Sequence, residues 1–296
     1  MASVQDLKRR IRSVRNTRKI TKALELVASA RLRRAQERIE AMRPYADRML
    51  ELMAGTARAA ATVRSIPLLQ RRDVKTVAIV PLTGDRGLAG AFNGQILRRA
   101  FAIERELRGE GLDVRWLVAG KKGRSTLLFR GYEVGQAWVG FSDRPGYDDA
   151  QAIAHRIAEL YVGEEIDRAI VVYNAFVSPL VQTVTEQEVL PIAEHLLETD
   201  EEERREDALR GDFIYEPEPE EILARLVPVF LETEIYRALL ESAASEQGAR
   251  MTAMRNASKN AGELIDNITL VMNRARQAEI TQEILEVVAG ADALEG

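Results

Sequence analysis

A heptad pattern near the carboxyl end of the chain constrains the fold more than any other feature of the sequence. From Leu240 to Ala275, residues recur in alternating steps of four and three, and Gln247 and Ser258 are the polar members of the series. The apolar members are Leu240, Ala244, Met251, Met254, Ala261, Ile265, Ile268, Met272 and Ala275. Sustained over about five repeats, this spacing is typical of a coiled-coil helix. Its small or unbranched seam residues predict a close approach of two helices.

A second helical pattern occupies the start of the chain, from about Val4 to about Ala60. Its members recur in steps of three, four or seven, at Leu7, Ile11, Val14, Leu24 and Ala28, with Thr21 in the same series. A helix of about 50 residues would be about 75 Å long, so it needs another long element to pack against. We therefore predict that the two terminal helices pair as an antiparallel coiled coil. Pro44 is predicted to kink or interrupt the first helix, because proline removes an intrahelical hydrogen bond.

The middle of the chain has a different pattern. Apolar, β-branched runs bounded by turn residues predict strands at 74–83, 112–120 and 168–177, with helical patterns between the first two and again from about Asp148 to Leu160. This alternation favours an open, largely parallel sheet with helices on its faces. The segment 180–192 is a further strand candidate, antiparallel at the sheet edge. We predict three regions: an N-terminal long helix at 1–60, an α/β domain at 74–210 and a C-terminal long helix at 217–296.

Charge is unevenly distributed along the chain. The formal net charge is −4, yet residues 1–40 carry twelve Lys or Arg against four acidic residues, a balance of +8. Such a stretch indicates a nucleic acid, an anionic membrane face or an acidic protein surface as partner, or else a solvated helix face. Acidic residues concentrate between Glu194 and Asp207, and this segment, with 198–207 as its most charged part, is interpreted as a solvated connector.

Several classes of chemistry lack the residues they need. The chain has no cysteine, which excludes disulfides, thiolate nucleophiles and Cys-bound metals. Its two histidines, His155 and His195, have no partners that suggest a metal or a catalytic triad. No apolar run approaches the roughly 20 residues that a membrane-spanning helix requires, and no signal-peptide core is present. We expect no catalytic residue, no cofactor and no metal.

Two glycine-containing stretches resemble phosphate-binding loops without meeting their spacing. The segment "GDRGLAG" at 84–90 follows a strand and precedes a helix, but it lacks the G-x-G opening of a dinucleotide site. In "AGKKGRST" at 119–126, Arg115 stands where a P-loop requires its first glycine. A nucleotide site is therefore the less favoured interpretation of both stretches.

The last helix ends in a plain tail. After Arg276 there is no Lys or Arg, and the final turns hold Val287, Val288, Ala289, Ala291, Ala293 and Leu294. A smooth, nearly apolar helix end predicts a partner surface that accepts it.

Long segments of the chain resemble the gamma subunit of F-type ATP synthases, in a bacterial form. The N-terminal segment "RIRSVRNTRKITKALELVASARLRRAQ" at 10–36 and "ESAASEQGARMTAMRNASKNAGELI" at 241–265 are similar to the family's two long helices. The segment "ITQEILEVVAGADA" at 280–293 is similar to its terminal signature, and "GDRGLAGAFN" at 84–93 and "YEPEPEEIL" at 215–223 resemble further family segments.

The resemblance implies a fold and a function. The fold class is α/β, in which two long terminal helices form an antiparallel coiled coil and an inserted Rossmann-like open sheet domain lies between them in sequence. The family's function is that of a non-catalytic central-stalk rotor, present once per complex, that couples transmembrane proton flow to ATP synthesis. Its partners are the alpha and beta subunits of a hexameric ring, the epsilon subunit and the membrane c-ring. The expected location is the cytoplasmic face of the bacterial plasma membrane, as a peripheral protein.

The resemblance also implies roles for individual residues. Arg276 and Gln277 match the catch residues that hydrogen-bond to one beta subunit at a time. Further matches to coupling positions are Arg250, Thr281 and Glu283, together with Lys22 and Leu24 on the first helix, which face an acidic loop of beta. The tip of the shaft inside the alpha/beta sleeve is expected to include Leu285, Val287, Val288 and Leu294.

Two other classes of function stay open at the level of sequence. A basic coiled-coil adaptor would bind nucleic acid or an anionic membrane surface, with strong salt dependence. A nucleotide-dependent enzyme built on the sheet domain would bind nucleotide by itself.

Overall fold

The computed structural model describes residues 3–59, 66–192 and 217–295, with the backbone alone at 58–59 and 291–295. The predicted acidic connector at 194–207, including 198–207, lies outside the described residues, as do His195 and the side chain of Leu294. The helices and strands are, in chain order, α1 (Val4–Ala59), β1 (Thr76–Pro81), α2 (Phe92–Gly109), β2 (Asp113–Ala119), α3 (Lys121–Phe129), β3 (Val134–Trp138), α4 (Tyr147–Val162), β4 (Arg168–Phe176), β5 (Gln182–Leu190) and α5 (Pro219–Glu295). A short 3₁₀ turn, Pro67–Leu69, precedes β1.

The chain divides into two compact units. The coiled-coil unit consists of Met1–Ala28 and Arg250–Gly296, and the sheet unit is Ser29–Ala249. This division passes through both long helices, whereas the predicted ranges 1–60, 74–210 and 217–296 follow sequence patterns; that domain division stays a prediction.

The coiled-coil unit is built on the predicted seam. Its buried side chains on α1 are Leu7, Ile11, Thr21, Glu25 and Ala28, and on α5 they are Met251, Met254, Ala261 and Ile265. The pairing is antiparallel: Arg255 Nε lies 3.1 Å from Glu25 Oε1, while the position of a Cβ on Gly262 lies 3.6 Å from the guanidinium carbon of Arg18. Seven residues forward on α5 therefore correspond to seven residues backward on α1.

Of the two predicted effects of Pro44, an interruption of the first helix is wrong, and a kink stays a prediction. The helix α1 continues through Pro44 as one element of 56 residues. Pro44 is exposed, whereas Met42 and Met49 on either side of it are buried. Packing of these flanking turns offsets the hydrogen bond that proline removes.

The sheet unit contains one five-stranded sheet in the order β3-β2-β1-β4-β5. Strands β1 to β4 are parallel, and β5 pairs antiparallel with β4 at the edge. The predicted strands and the antiparallel edge strand are confirmed. The predicted fold class, α/β with two long antiparallel terminal helices and an inserted Rossmann-like open sheet, is confirmed as well.

Each face of the sheet supports its own apolar layer. On one face, residues such as Val80, Leu117 and Val171 pack with α4 and with parts of α1 and α5 that belong to the sheet unit, including Met53 and Leu231. The layer on the other face joins strand residues to α2 and α3, and its members include Val77, Ile79, Ile96, Val118 and Leu127. Parallel strands buried on both faces have continuous apolar runs, which is why β1, β2 and β4 were detectable in the sequence.

A buried carboxylate fixes the start of β1 to the start of β4. Asp167, 8% exposed, accepts the backbone N–H groups of Lys75 and Thr76, each at 2.9 Å. Its other oxygen accepts Arg72 Nε at 2.6 Å. Burial opposes ionisation of Asp167, but the two backbone bonds and Arg72 prevail and lower its pKa below the ordinary 3.8.

We expect Asp167→Ala to lower the free energy of unfolding by about 3 kcal/mol, because it leaves two backbone N–H groups without their acceptor and a half-buried guanidinium without its counter-charge. A carboxylate with a depressed pKa stabilises the fold above its unfolded pKa and loses that contribution as pH falls through the folded value. The difference from the original chain should therefore be full at pH 7 and should shrink below about pH 4. Urea unfolding followed by circular dichroism at several pH values measures both effects.

Glu165→Ala is the matched control for this substitution. Glu165 lies two residues away and pairs with Arg115, but both side chains are well exposed, at 49% and 38%. An exposed pair contributes at most about 1 kcal/mol. If Glu165→Ala and Asp167→Ala lowered the free energy of unfolding equally, the role assigned to Asp167 would be contradicted.

Candidate functional site

The carboxyl edge of the parallel strands is where a doubly wound sheet binds its ligands. Loops after β1, β2 and β3 meet at this edge, and Asp85 from the first of them lies among the others. Its carboxylate accepts backbone N–H groups from Lys121 at 2.9 Å, Gly140 at 2.9 Å and Ser142 at 3.0 Å. Donors of this kind would otherwise be available to a phosphate. The protein's own carboxylate therefore occupies the place of an anionic ligand.

The pKa of Asp85 agrees with this role. Burial by itself would raise that pKa, but the backbone bonds from Gly140, Ser142 and Lys121 outweigh it and keep the carboxyl pKa below its usual value. Asp85 is thus a negative charge at neutral pH, and it would repel a second anion at the same edge.

The glycines of the two loop motifs serve close packing. A Cβ on Gly84 would lie 2.8 Å from the carboxylate of Glu246. Gly120 has φ +95°, and a Cβ there would lie 1.9 Å from the carbonyl oxygen of Thr83. Thr83 Oγ1 in turn accepts the N–H of Gly123 at 2.9 Å. These contacts explain Gly84 of "GDRGLAG" and Gly120 of "AGKKGRST" without a nucleotide.

His155 has a structural partner. Its Nε2 lies 2.9 Å from Oε1 of Glu232, a carboxylate that is 4% exposed and that also accepts the hydroxyl of Tyr147 at 2.6 Å. Burial and the bond to Glu232 raise the pKa of Tyr147. Within the described ranges, no group of three His, Cys, Asp or Glu side chains could hold a metal ion.

The free end of α5 has the features of a contact surface. Every residue from Arg276 to Gly290 is exposed, and the large apolar side chains there are Ile280 at 47%, Ile284 at 58%, Leu285 at 63%, Val287 at 73% and Val288 at 51% exposed. Contiguous exposed apolar surface is typical of an interaction site.

The polar residues of this end are held within the helix or extend from it. Thr281 donates its hydroxyl to the carbonyl of Gln277 at 2.9 Å, so its side chain is turned along the helix. Arg276, Gln277 and Glu283 are exposed, and the side chains of Arg276 and Gln277 pair with no other described residue. Both are available to bind a partner.

The candidate residues nearer the middle of the coiled coil are less available. Lys22 Nζ lies 3.0 Å from Glu25 Oε2, and Arg255 binds the other oxygen of this buried carboxylate. The bond from Lys22 contributes most to lowering the pKa of Glu25, followed by the bond from Arg255. Leu24 is half-buried, and Arg250 is 9% exposed.

Sequence reasoning missed two features of the coiled-coil unit. One is the buried carboxylate of Glu25. Glu25 comes four residues after Thr21 and three before Ala28, so its spacing already placed it on the seam. The other is a set of exposed apolar residues away from the seam, namely Ile20, Leu26, Val27, Leu264, Leu270 and Val271. Because these apolar residues lie outside the heptad series, the sequence already indicated that the seam does not bury them.

Among the described residues, no helix combines the length and the hydropathy that crossing a membrane requires.

Comparison with known proteins assigns the chain to a family. The family model described as ATP synthase matches residues 3–294. The ATP synthase gamma chain of Rubrobacter xylanophilus is 45% identical over 294 residues, covering 99% of each chain. That of Desulforamulus reducens is 44% identical over 295 residues, covering 100% of each.

Solved structures agree with the assignment. A chain of the cryo-EM structure of the Tetrahymena thermophila mitochondrial ATP synthase central stalk and c-ring is 29% identical, with a TM-score of 0.59, over 81% of this chain and 99% of that one. A chain of the Euglena gracilis mitochondrial ATP synthase matches in fold, with a TM-score of 0.69 at 18% identity, over 98% of this chain and 94% of that one. The family resemblance seen in the sequence is confirmed: this chain belongs to the ATP synthase gamma chain family.

Proposed function

We propose that the chain is the rotating central-stalk subunit of an ATP synthase, that it has no catalytic site of its own, and that it couples transmembrane proton flow to ATP synthesis on partner subunits. The observation that carries this proposal is the end of α5, where fifteen consecutive residues from Arg276 to Gly290 are exposed. They include five large apolar side chains, those of Ile280, Ile284, Leu285, Val287 and Val288. The names of the relatives and the placement of the solved neighbours in a central stalk support it.

The proposed partners follow from the same family. One copy would lie inside a hexameric ring of alpha and beta subunits and would bind the epsilon subunit and the membrane c-ring. Its location would be the cytoplasmic face of the bacterial plasma membrane, reached through the c-ring and without a membrane-spanning segment of its own.

An apolar tip suits rotation for a physical reason. A directional ion pair formed at one angle must be broken at the next, and breaking a desolvated pair costs several kcal/mol. Dispersion contacts of Leu285, Val287 and Val288 are weak individually and similar in all directions. Such a surface turns in a sleeve with small barriers.

Arg276 and Gln277 are proposed to act differently, as a catch that binds one beta subunit at a time. Their side chains extend into solvent about one helical turn before the apolar residues begin. Thr281 stays close to the helix through its bond to Gln277, and we infer that it helps to fix the backbone beneath the catch. Glu283 would supply a carboxylate on the same end of the helix.

Lys22 and Leu24 are proposed as the contact on α1. Lys22 is 57% exposed while it pairs with Glu25, so it can exchange this partner for an acidic group of a beta subunit. Exposed pairs contribute at most about 1 kcal/mol, which is weak enough to be remade as the shaft turns. Arg250, which is buried, would influence coupling by supporting the seam.

The asymmetric shape of the shaft would then couple its rotation to the conformations of the beta subunits. Rotation of an asymmetric shaft changes which beta subunit is contacted, and each contact favours one conformation of that subunit. The shaft thus imposes a population shift on nucleotide sites that other subunits hold.

A basic adaptor for nucleic acid or an anionic membrane is the alternative that the sequence left open, and no relative supports it. The two proposals differ in an observable. Phosphate contacts release counterions, so an adaptor would bind DNA or anionic vesicles with a steep salt dependence, and a rotor subunit would not.

Assembly with alpha and beta subunits of the same organism tests the proposal directly. We expect one copy of the chain to enter the ring and to raise ATP hydrolysis, as followed by size exclusion and a phosphate-release assay. The double variant Arg276→Ala, Gln277→Ala should assemble but hydrolyse ATP about tenfold more slowly, because hydrogen bonds to charged groups contribute about 1.5–3 kcal/mol.

Arg274→Ala is the control for the catch, since Arg274 is exposed on the same helix two residues earlier and has no assigned contact. It should keep normal hydrolysis. A chain that elutes alone and leaves hydrolysis unchanged would overturn the rotor proposal, whereas equal defects in both variants would overturn only the catch.

The apolar tip makes a second prediction. Leu285→Glu should slow hydrolysis by the assembled complex at least about tenfold, because a carboxylate enclosed by an apolar sleeve is costly to desolvate. Leu285→Ala removes the same side chain without adding charge and should change the rate less than about twofold, since surface substitutions have small effects. Equal rates for Leu285→Glu and the original chain would show that no apolar sleeve encloses this position.

A further inference from the structure

A groove of about 640 Å³ lies between α2 and α3 on one face of the sheet unit. Asp85 is not among the residues that line it. Four cationic side chains line it, namely Arg98 and Arg105 from α2, Lys122 from α3 and Arg130, the residue that caps the C-terminus of α3. None of the proposed contacts above uses them.

The four cations have no carboxylate partner among the described residues. Arg105 Nε donates only to the carbonyl of Phe101, at 3.3 Å, and the guanidinium of Arg130 lies 4.4 Å from the centre of the Phe101 ring. The carboxylate that lines the groove, Glu104, is 4% exposed and is already bound by Arg108 at 2.9 Å and by Tyr132 at 2.8 Å. The groove therefore presents positive charge that the fold does not neutralise.

Other arginines of α2 show that pairing is available on this helix. Arg99 binds Glu186 and Glu106, and Arg108 binds Glu104. Arg98 and Arg105, which line the groove, are the ones left without a carboxylate. On α2, therefore, the arginines that line the groove lack a carboxylate partner, whereas Arg99 and Arg108 have one.

The floor of the groove is apolar and rigid. Phe101, 8% exposed, stacks on Tyr132 with ring centres 5.5 Å apart. Trp116 packs edge-on against both rings, at 5.6 Å and 5.4 Å. At one end of the groove, a Cβ on Gly94 would meet nothing within 4 Å, so the groove is open there.

The spacing of the cations indicates the size of the ligand. Lys122 and Arg130 are eight residues apart on α3 and its C-terminal cap, or about 12 Å, and Arg98 and Arg105 are seven apart on α2, or about 10 Å. The first amide groups of α3 are not free to hold a phosphate, because Lys121, Lys122 and Gly123 donate theirs to Asp85, Gly84 and Thr83. Two separated rows of charge with an apolar floor fit an extended ligand better than a single anion.

We propose that this groove binds an acidic segment of a partner protein, with carboxylates that meet the two rows of cations and a large apolar side chain that lies beside Tyr132, the half-buried ring of the floor. This surface is additional to those assigned to the shaft, and it does not depend on the catch residues. Charge complementarity steers such a segment to the groove, and the aromatic floor selects among acidic segments.

The test uses the purified full chain and a fluorescein-labelled peptide of eight residues in which Glu alternates with Phe. Fluorescence anisotropy should detect binding, and Arg98→Glu with Arg130→Glu should weaken it at least about tenfold. Gly94→Trp should weaken it similarly without any change of charge, because the indole fills the open end. Gly94→Ala, whose methyl group meets no neighbour, should bind like the original chain.

A matched reversal of two charges elsewhere provides the control. Arg12→Glu with Arg15→Glu lies in the basic N-terminal stretch, where both residues are exposed, and it should leave peptide binding within about twofold because exposed charges away from the site act weakly. Thermal unfolding followed by circular dichroism identifies any variant that fails to fold. If Gly94→Trp fails to fold, the charge reversal at Arg98 and Arg130 is compared with Gly94→Ala and with the original chain.

Three outcomes would overturn the proposal. The first is no binding of the peptide by the original chain. The second is equal weakening by the control pair together with normal binding by Gly94→Trp, which would mean general attraction to a basic protein. The third is binding of short-chain polyphosphate, measured in parallel, in the absence of peptide binding, which would assign the groove to phosphate ligands.

Discussion

The close pairing of α1 and α5 is the constraint on which the coiled-coil unit depends. Its seam uses small or unbranched residues, such as Ala28, Ala261 and Met254, so that two backbones approach closely. One carboxylate, Glu25, is buried in the seam and binds Lys22 and Arg255. Because a buried charge needs its partners in place, this group helps to fix the register of the two helices, whereas apolar contacts alone permit sliding.

In the sheet unit, the protein's own side chains occupy the edge at which a fold of this kind often binds nucleotides. Asp85 supplies the negative charge at the edge where a phosphate would bind, and Thr83 and Glu246 fill the space beside Gly120 and Gly84. The same loops that serve as ligand cradles in other proteins here hold strands and helices together.

Two surfaces with opposite physical character result. The end of α5 exposes large apolar side chains, and the contacts proposed for them would be weak, numerous and insensitive to direction. The groove between α2 and α3 is cationic, and the contacts proposed for it would be directional and salt-sensitive. A moving contact requires the first kind and a fixed contact the second, so one chain can hold one partner loosely while it holds another in register.

Hydrophobic periodicity in the sequence predicts most of the architecture. The 4-3 spacing from Leu240 to Ala275 predicts the seam, and the β-branched runs predict β1, β2, β4 and the edge strand β5. The sequence does not predict β3 or α3, because the segment "VGQAW" lacks alternation and "KKGRSTLLF" contains weak helix formers. Three further features follow from the folded structure alone: α1 continues through Pro44, Asp85 occupies the carboxyl edge of the sheet, and Arg98 and Arg130 line one groove. Periodicity is local and survives in the sequence, whereas partners distant in the chain meet only after the fold brings them together.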